Sequence, residues 1–301
     1  MTKKVICFGE MLWDCFPDCE TAGGAPMNVA LHLKQLGLEV QMVSRLGNDE
    51  YGSKLLGFVK SYGLKPDLIQ EDLEHPTGMV MVDKANKENI KYDIVAPSAW
   101  DFICLTEENL QAVSEADALV FGSLAVRNEL SWKTLYHLVQ QPVLTIFDIN
   151  LREPFIDFIK IESLLGYADI LKINEDELAF LADYFEVKNV NGCKNHMDSV
   201  QVFCDFMVSQ YPIEIICITL GSNGAMIYCQ GEITKHDGYK IQVEDTLGSG
   251  DAFLSGFVKM YLEGKKPMEI LDFSCKMGAY VATQQGGTPK YKLEEFIKSV
   301  E

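Results

Sequence analysis

Asp245-Thr246-Leu247-Gly248-Ser249-Gly250-Asp251, running straight into the apolar Ala252-Phe253-Leu254, is the stretch from which the rest of the chain is read. Two glycines precede a helical pattern whose first turn carries a carboxylate. Free N–H groups at a helix N-terminus suit an anion, and Gly248, Ser249 and Gly250 would bring three of them close to a transferring phosphoryl group. Asp251 then stands where a general base could take the proton of an attacking hydroxyl. On these residues alone a plainer reading is equally open: Asp251 complements the helix dipole and the glycines only make the turn.

Two other classes of glycine loop are excluded. No Gly-x-x-x-x-Gly-Lys-Ser/Thr string occurs, so this is not a P-loop. The dinucleotide-binding spacing would need a third glycine at position 253, which is Phe253. Ser249 is not read as a nucleophile, because no histidine stands near it in sequence to activate it.

Composition bounds the answer. A chain of 301 residues with 48% hydrophobic and 23% charged residues can bury a sizeable core. The formal net charge of −18 argues against nucleic acid, which normally meets a basic face, so the expected ligands are small. No uninterrupted apolar run is long enough to span a bilayer, and no basic, apolar leader opens the chain, which reads as cytoplasmic and not membrane-bound. Nine cysteines without framework spacing read as reduced, mostly buried thiols; Cys15 and Cys19 lack the second pair or histidine that a zinc site needs.

Short apolar runs at 5–8, 40–44, 118–121, 143–147, 170–173 and 215–219 alternate with helical patterns at 27–36, 51–62, 107–115, 131–140, 175–184, 197–209, 251–262 and 268–284. Strands apolar throughout are those of a mostly parallel sheet covered by helices on both faces. Residues 11–16 and 78–94 break the pattern and predict exposed antiparallel strands, the second pair joined as a hairpin through 84–88. The whole of 1–301 is read as one α/β domain with this small appendage.

A second glycine motif, Gly23-Gly24-Ala25-Pro26-Met27-Asn28-Val29-Ala30, lies near the N-terminus, and Asp148-Ile149-Asn150-Leu151-Arg152, Asn174-Glu175-Asp176-Glu177 and Thr219-Leu220-Gly221-Ser222-Asn223-Gly224 lie between the two. In this order, and over essentially the whole chain, they resemble the ribokinase-like (PfkB-type) carbohydrate kinases, most closely the fructokinase branch. The resemblance implies a three-layer α/β/α fold whose small β lid covers a sugar and often meets a second subunit in a homodimer.

For the sugar, carboxylates and amides on rigid backbone are needed to meet its hydroxyls. Asp14, Gly23, Gly24 and Asn28 are the candidates, although Pro26 behind a glycine turn would start a helix in any protein. Asp148, Asn150 and Arg152 alternate beyond a buried strand and in extended geometry would share a face, with Arg152 suited to phosphoryl oxygens or sugar; a surface ion pair between Asp148 and Arg152 is the alternative. Asn174 and Glu177 have the spacing of a helix capping box. The resemblance puts them near the nucleotide's magnesium, Glu177 through water. It also assigns Thr219, Gly221 and Gly224 to the nucleotide, otherwise a turn between strands, puts the adenine near 268–287, and makes Asp245 a candidate potassium ligand.

The expected function is ATP-dependent phosphorylation of a small sugar, fructose first, with Asp251 as base, Gly248, Ser249 and Gly250 as anion cradle, and Mg2+ and possible K+ as cofactors. The alternatives are a kinase for ketodeoxygluconate, ribose or a nucleoside, and a non-catalytic sugar-binding regulator.

Overall fold

Val5, Ile6, Cys7 and Phe8 are all fully buried, which requires cover on both faces of the strand that carries them. The computed structural model, which describes residues 2–83, 91–187, 196–292 and 296, supplies that cover. This strand, β1 (Lys4–Phe8), lies inside a nine-stranded sheet. With β4 (Glu39–Gly47), β5 (Ile69–Asp72), β8 (Ala118–Gly122), β9 (Leu144–Asp148), β10 (Ile170–Asn174), β11 (Ile215–Thr219), β12 (Ala225–Cys229) and β13 (Glu232–His236), the order is β13-β12-β11-β10-β9-β8-β1-β4-β5. Every neighbouring pair from β11 to β5 is parallel, and only β12 and β13 run antiparallel at one edge.

Alternate strand residues point to opposite faces and meet different helices. Val5, Cys7, Val120 and Cys217 pack with α1 (Ala25–Gln35), α2 (Glu50–Ser61), α8 (Ser249–Leu262) and α9 (Pro267–Ala282). Ile6, Phe8, Phe121 and Ile218 pack with α3 (Glu107–Ser114), α4 (Glu129–Leu138), α5 (Phe158–Leu165), α6 (Glu175–Tyr184) and α7 (His196–Gln210). The expected three layers are therefore present. The eight described cysteines are free thiols, and no helix among the described residues is long and apolar enough to cross a membrane.

The second sheet corrects the expectation of exposed antiparallel strands. Its order is β3 (Glu20–Gly23), β2 (Leu12–Cys15), β6 (Gly78–Asp83), β7 (Lys91–Ile94). β2 and β6 pair in parallel, Leu12 opposite Gly78 and Asp14 opposite Val80. The reason is topological: β1 and β5 belong to one parallel sheet and each runs on past its C-terminal end into the small sheet, so their continuations travel side by side. Leu12, Val80, Val82 and Ile94 are buried with Trp100 and Leu124 in a core of their own, so this sheet is anchored rather than exposed. β6 and β7 are antiparallel as a hairpin requires. Their connection, 84–88, lies outside the described residues.

The sequence reading did not include β3, β5, β12, β13 or α5. Alternation is blurred in β13, a polar edge strand, and α5 is only eight residues long, started by Asp157, whose carboxylate accepts from the Lys160 N–H at 3.3 Å. Gly224 turns β11 into β12 at φ 86° and ψ −136°, and a Cβ there would lie 1.9 Å from the His236 carbonyl oxygen. That glycine is a requirement of the hairpin backbone. Gly224→Ala is expected to cost about 2 kcal/mol, read as a lower urea midpoint with an unchanged m-value.

Candidate active site

In an open parallel sheet the strand order reverses where the chain returns to the other side of its first strand, and ligands bind beyond the carboxyl ends there. Here that point lies between β1 and β8. Asp148, Asn174 and Thr219 are the last residues of β9, β10 and β11, so three of the motifs quoted above stand on the same edge. A narrow cleft at this edge is lined by Ala25, Pro26, Gly122, Asp148, Asn150 and Leu254.

α8, which contributes Leu254 to the cleft, is preceded by the glycine turn. Gly248 caps the helix in the left-handed region at φ 70°, and a Cβ on it would lie 2.5 Å from Gly287. Only glycine allows that contact. His32, fully buried, reaches the Gly287 carbonyl with Nε2 at 2.9 Å and the Tyr291 hydroxyl with Nδ1 at 3.0 Å; burial pushes its ring down to about 4, so it is neutral at pH 7. The Ser249 N–H is engaged by the Thr246 carbonyl at 3.2 Å, and its hydroxyl donates to the same oxygen at 2.9 Å. The expected three-donor cradle is thus corrected to two: the N–H groups of Gly248 and Gly250 make no hydrogen bond among the described residues.

Asp251, on the first turn of α8, accepts a hydrogen bond from the Asn28 Nδ2 at 2.8 Å. Residues 223 apart in sequence meet because α1 and α8 pack side by side on one face of the sheet. Burial pushes the Asp251 carboxyl up to about 6; Asp148 adds to this, while Asn28, Lys172 and Arg152 oppose it. The Asn28 Oδ1 is buried without a partner and faces the same space as an acceptor in waiting.

On β2, Asp14 is 9% exposed and burial raises its carboxyl to about 6 against the pull of Arg152. A Cβ on Gly23, across the strand pair, would fall 2.3 Å from the Asp14 Oδ2 and displace that carboxylate. Gly24, at φ 110°, is required by the Glu10 carbonyl, 2.5 Å from where its Cβ would sit. Gly24 therefore has a backbone reason for being there, and Gly23 a side-chain neighbour.

The common face expected of Asp148, Asn150 and Arg152 is not formed. Asn150 takes a left-handed φ of 41°, which breaks the extended run. Asp148 turns inward, and the Lys172 ammonium donates to its two oxygens at 2.9 and 3.1 Å, so the alternative Asp148–Arg152 surface pair is replaced by a buried pair. Arg152 is exposed, bonded to its neighbour's carbonyl, and its charge lowers the carboxyls of Glu10, Asp14 and Asp251. Glu10 is 2% exposed, its Oε2 has no partner, and burial lifts it to about 7.

Asn174 and Glu177 form the capping box in full. Asn174 Oδ1 accepts from the Glu177 N–H and Glu177 Oε2 from the Asn174 N–H, each at 2.8 Å, while Glu177 Oε1 accepts from Leu151 at 2.9 Å. Each carboxylate oxygen keeps a second lone pair, which suits a metal-bound water rather than direct coordination. No group of three or more His, Cys, Asp or Glu among the described residues is arranged to hold a metal ion. Asp245 uses its two oxygens on the N–H groups of Leu247, at 3.0 Å, and Gly286, at 3.3 Å, which ties the loop to the segment after α9. Thr219 and Gly221 edge the turn beyond β11, beside an open cavity of about 520 Å³ lined by Glu175, Met197, Leu220, Asn223, Met226, Lys235 and Asp237.

A carboxylate beside two free N–H groups at a helix start, a carboxylate-bearing β sheet over it, and a glycine turn at the sheet edge have a counterpart in known proteins. The model of the "pfkB family carbohydrate kinase" matches residues 2–292. The chain belongs to the pfkB family of carbohydrate kinases. Among curated relatives, fructokinase-2 of Solanum habrochaites is 27% identical over 315 residues, covering 95% of this chain and 92% of the relative. The structure of a fructokinase from Xylella fastidiosa with bound ATP superposes with a TM-score of 0.82 at 21% identity, covering 99% of this chain and 98% of that one. A double mutant of fructokinase from Vibrio cholerae O395, described in fructose, ADP and potassium ion bound form, gives 0.82 at 23%, covering 100% and 99%. This kinase is accordingly an ATP-dependent sugar kinase with the ribokinase-like fold.

Two buried charged residues that interact electrostatically with Asp251, Lys172 and Glu10, are absent from the expected site of the kinase. Lys172 left a signal, as the only charge in the buried strand Ile170-Leu171-Lys172-Ile173. Glu10 left little, since a carboxylate just past a strand is ordinary in a loop. Asp251 is expected to titrate near pH 6, followed by the chemical shift of its labelled carboxyl carbon. In Asn28→Ala the midpoint moves to higher pH, because the lost donor favoured the ionised form.

Proposed function

We propose that the kinase transfers the terminal phosphoryl group of MgATP directly to a hydroxyl of a ketohexose, fructose first among candidates, with Asp251 as general base. The observation that carries this reading is the placement of Asp251: on the first turn of α8, oriented by Asn28, next to the free N–H groups of Gly248 and Gly250. A hydroxyl seated at Asp251 would attack an anion held by those two groups, as direct transfer needs. Asp14 and the open acceptor Asn28 Oδ1 hold other hydroxyls of the sugar, and Arg152 moderates the negative charge that gathers as the phosphoryl group arrives. Thr219, Gly221 and Gly224 border the nucleotide, and Asn174 and Glu177 stand toward its metal.

When bound with ATP, magnesium screens the donor phosphates. Glu177 would meet it through water. Potassium, present with the Vibrio cholerae enzyme, would sit by the loop that Asp245 ties down. The small sheet that carries Asp14 would exclude water, which would otherwise compete with the sugar as acceptor, and is the face through which two copies would pair. No covalent intermediate is needed, since the acceptor hydroxyl attacks the donor phosphorus directly.

The test is ADP release with fructose, ribose, glucose, ketodeoxygluconate and adenosine, with magnesium and with potassium or sodium. Preference for fructose is expected; preference for another acceptor moves the substrate and keeps the mechanism. Stabilisation by a sugar with no ADP release would overturn the catalytic reading in favour of a sugar-binding regulator.

Two variants probe the roles. Asp251→Asn should lower kcat by at least about 10²-fold while sugar binding, followed by calorimetry, is largely kept, and Asp14→Ala should raise the sugar KM. Because the base works ionised and its carboxyl lies at about 6, kcat/KM is expected to hold above neutrality and fall as pH drops through 6.

A further inference from the structure

Lys172 is a charge where the fold has no structural use for one. It sits in β10 between apolar neighbours, is 6% exposed, and sends its ammonium toward the α8 side of the sheet. Burying an ammonium costs several kcal/mol unless it is paired, and an isosteric apolar pair is commonly as stable as a buried ion pair. The partner is Asp148, which takes both of its close hydrogen bonds with one carboxylate, at 2.9 and 3.1 Å. The place of the ammonium is the telling fact: it lies 3.9 Å from where a Cβ on Gly250 would sit, directly under the turn that presents the free N–H groups.

We propose that Lys172 is a positioning residue for phosphoryl transfer, a fixed cation clamped by Asp148 beneath the Gly248–Gly250 turn that keeps the anion cradle attractive and Asp251 ionised. The proposal rests on the sugar-kinase reading with Asp251 as base. Its physical content is a balance of charges around that carboxylate. Asn28 donates to Asp251 from α1, Asp148 faces it from β9, Lys172 from β10, Arg152 from the loop after β9, and Glu10 from the loop after β1. Asp148 makes ionisation of Asp251 harder, and Lys172 and Arg152 make it easier. Arg152 is exposed and screened by solvent; Lys172 is not. For Lys172 itself burial disfavours the charged form, but Asp148 and Glu177 outweigh it, so the ammonium stays charged at every working pH.

A merely structural ion pair and a positioning one differ in the pH profile. In Lys172→Met, kcat should fall on the order of 10²-fold, as on removing one donor to a developing anion, with the sugar KM little changed. The acid limb of kcat/KM should move up by about one pH unit, as on losing a nearby opposite charge. Asp148→Asn should move the same limb the other way, to lower pH, because a like charge beside the base has gone while the cation remains. Limbs unmoved in both variants would overturn the proposal. Should Lys172→Met fail to fold by circular dichroism, Asp148→Asn decides alone, and an unmoved or raised limb there overturns it. Asp251→Asn, run in the same assay, separates the two levels: turnover in that variant sinks the base assignment, whereas an inert Asp251→Asn with unmoved limbs elsewhere sinks only the role of Lys172.

Discussion

Burial of the central strands on both faces is the constraint from which the rest follows. A strand such as β1, with Val5 to Phe8 fully buried, leaves no room for polar side chains along its length, so chemistry is displaced to the carboxyl ends. Asp148, Asn174 and Thr219 each occupy the last position of a strand, and Glu10 and Asp14 follow closely on β1. The sheet thereby acts as a ruler: side chains far apart in sequence are brought to one edge by the pairing of β9, β10 and β11 as parallel neighbours.

Lys172 is the exception to that constraint, and it shows what the edge must manage. Asp14, Asp148, Glu177, Asp251 and Glu10 crowd one region of a chain whose formal net charge is −18, and the expected substrate brings more negative charge. The carboxylates are handled individually: Asp148 by an ammonium, Glu177 by two backbone N–H groups, and Asp251 by an amide. Glu10 Oε2 and Asn28 Oδ1 are fully buried there without partners among the described residues.

Fold and site were legible to different degrees. Fully apolar strands and strongly periodic helices follow from local pattern, and six of the central strands and the helices other than α5 lie near their expected places. The polar edge strand β13 and the parallel pairing of β2 with β6 do not, because edge strands lack alternation and pairing direction depends on where distant segments leave the main sheet. In the site, Asp251, Asn28 and Asp14 could be read from glycine motifs and family resemblance. The Asp148–Lys172 pair could not, because it depends on the register of β9 against β10, which sets the two residues opposite each other. Gly23 and Gly24 were visible as glycines, but their cause, the Asp14 carboxylate and the Glu10 carbonyl, exists only in three dimensions.

Gly248 rests against Gly287, which in turn is held by His32 and, through it, Tyr291. The back of the Gly248–Gly250 turn is thus made by a stretch some forty residues after the turn itself and braced by α1, near the start of the chain. During synthesis α8 can form as soon as it emerges, but its first turn has nothing to lean on until the segment around Gly287 to Tyr291 has been made and docked on α1. A growing chain is in this way kept from completing the Gly248–Gly250 turn before the segments that brace it have folded.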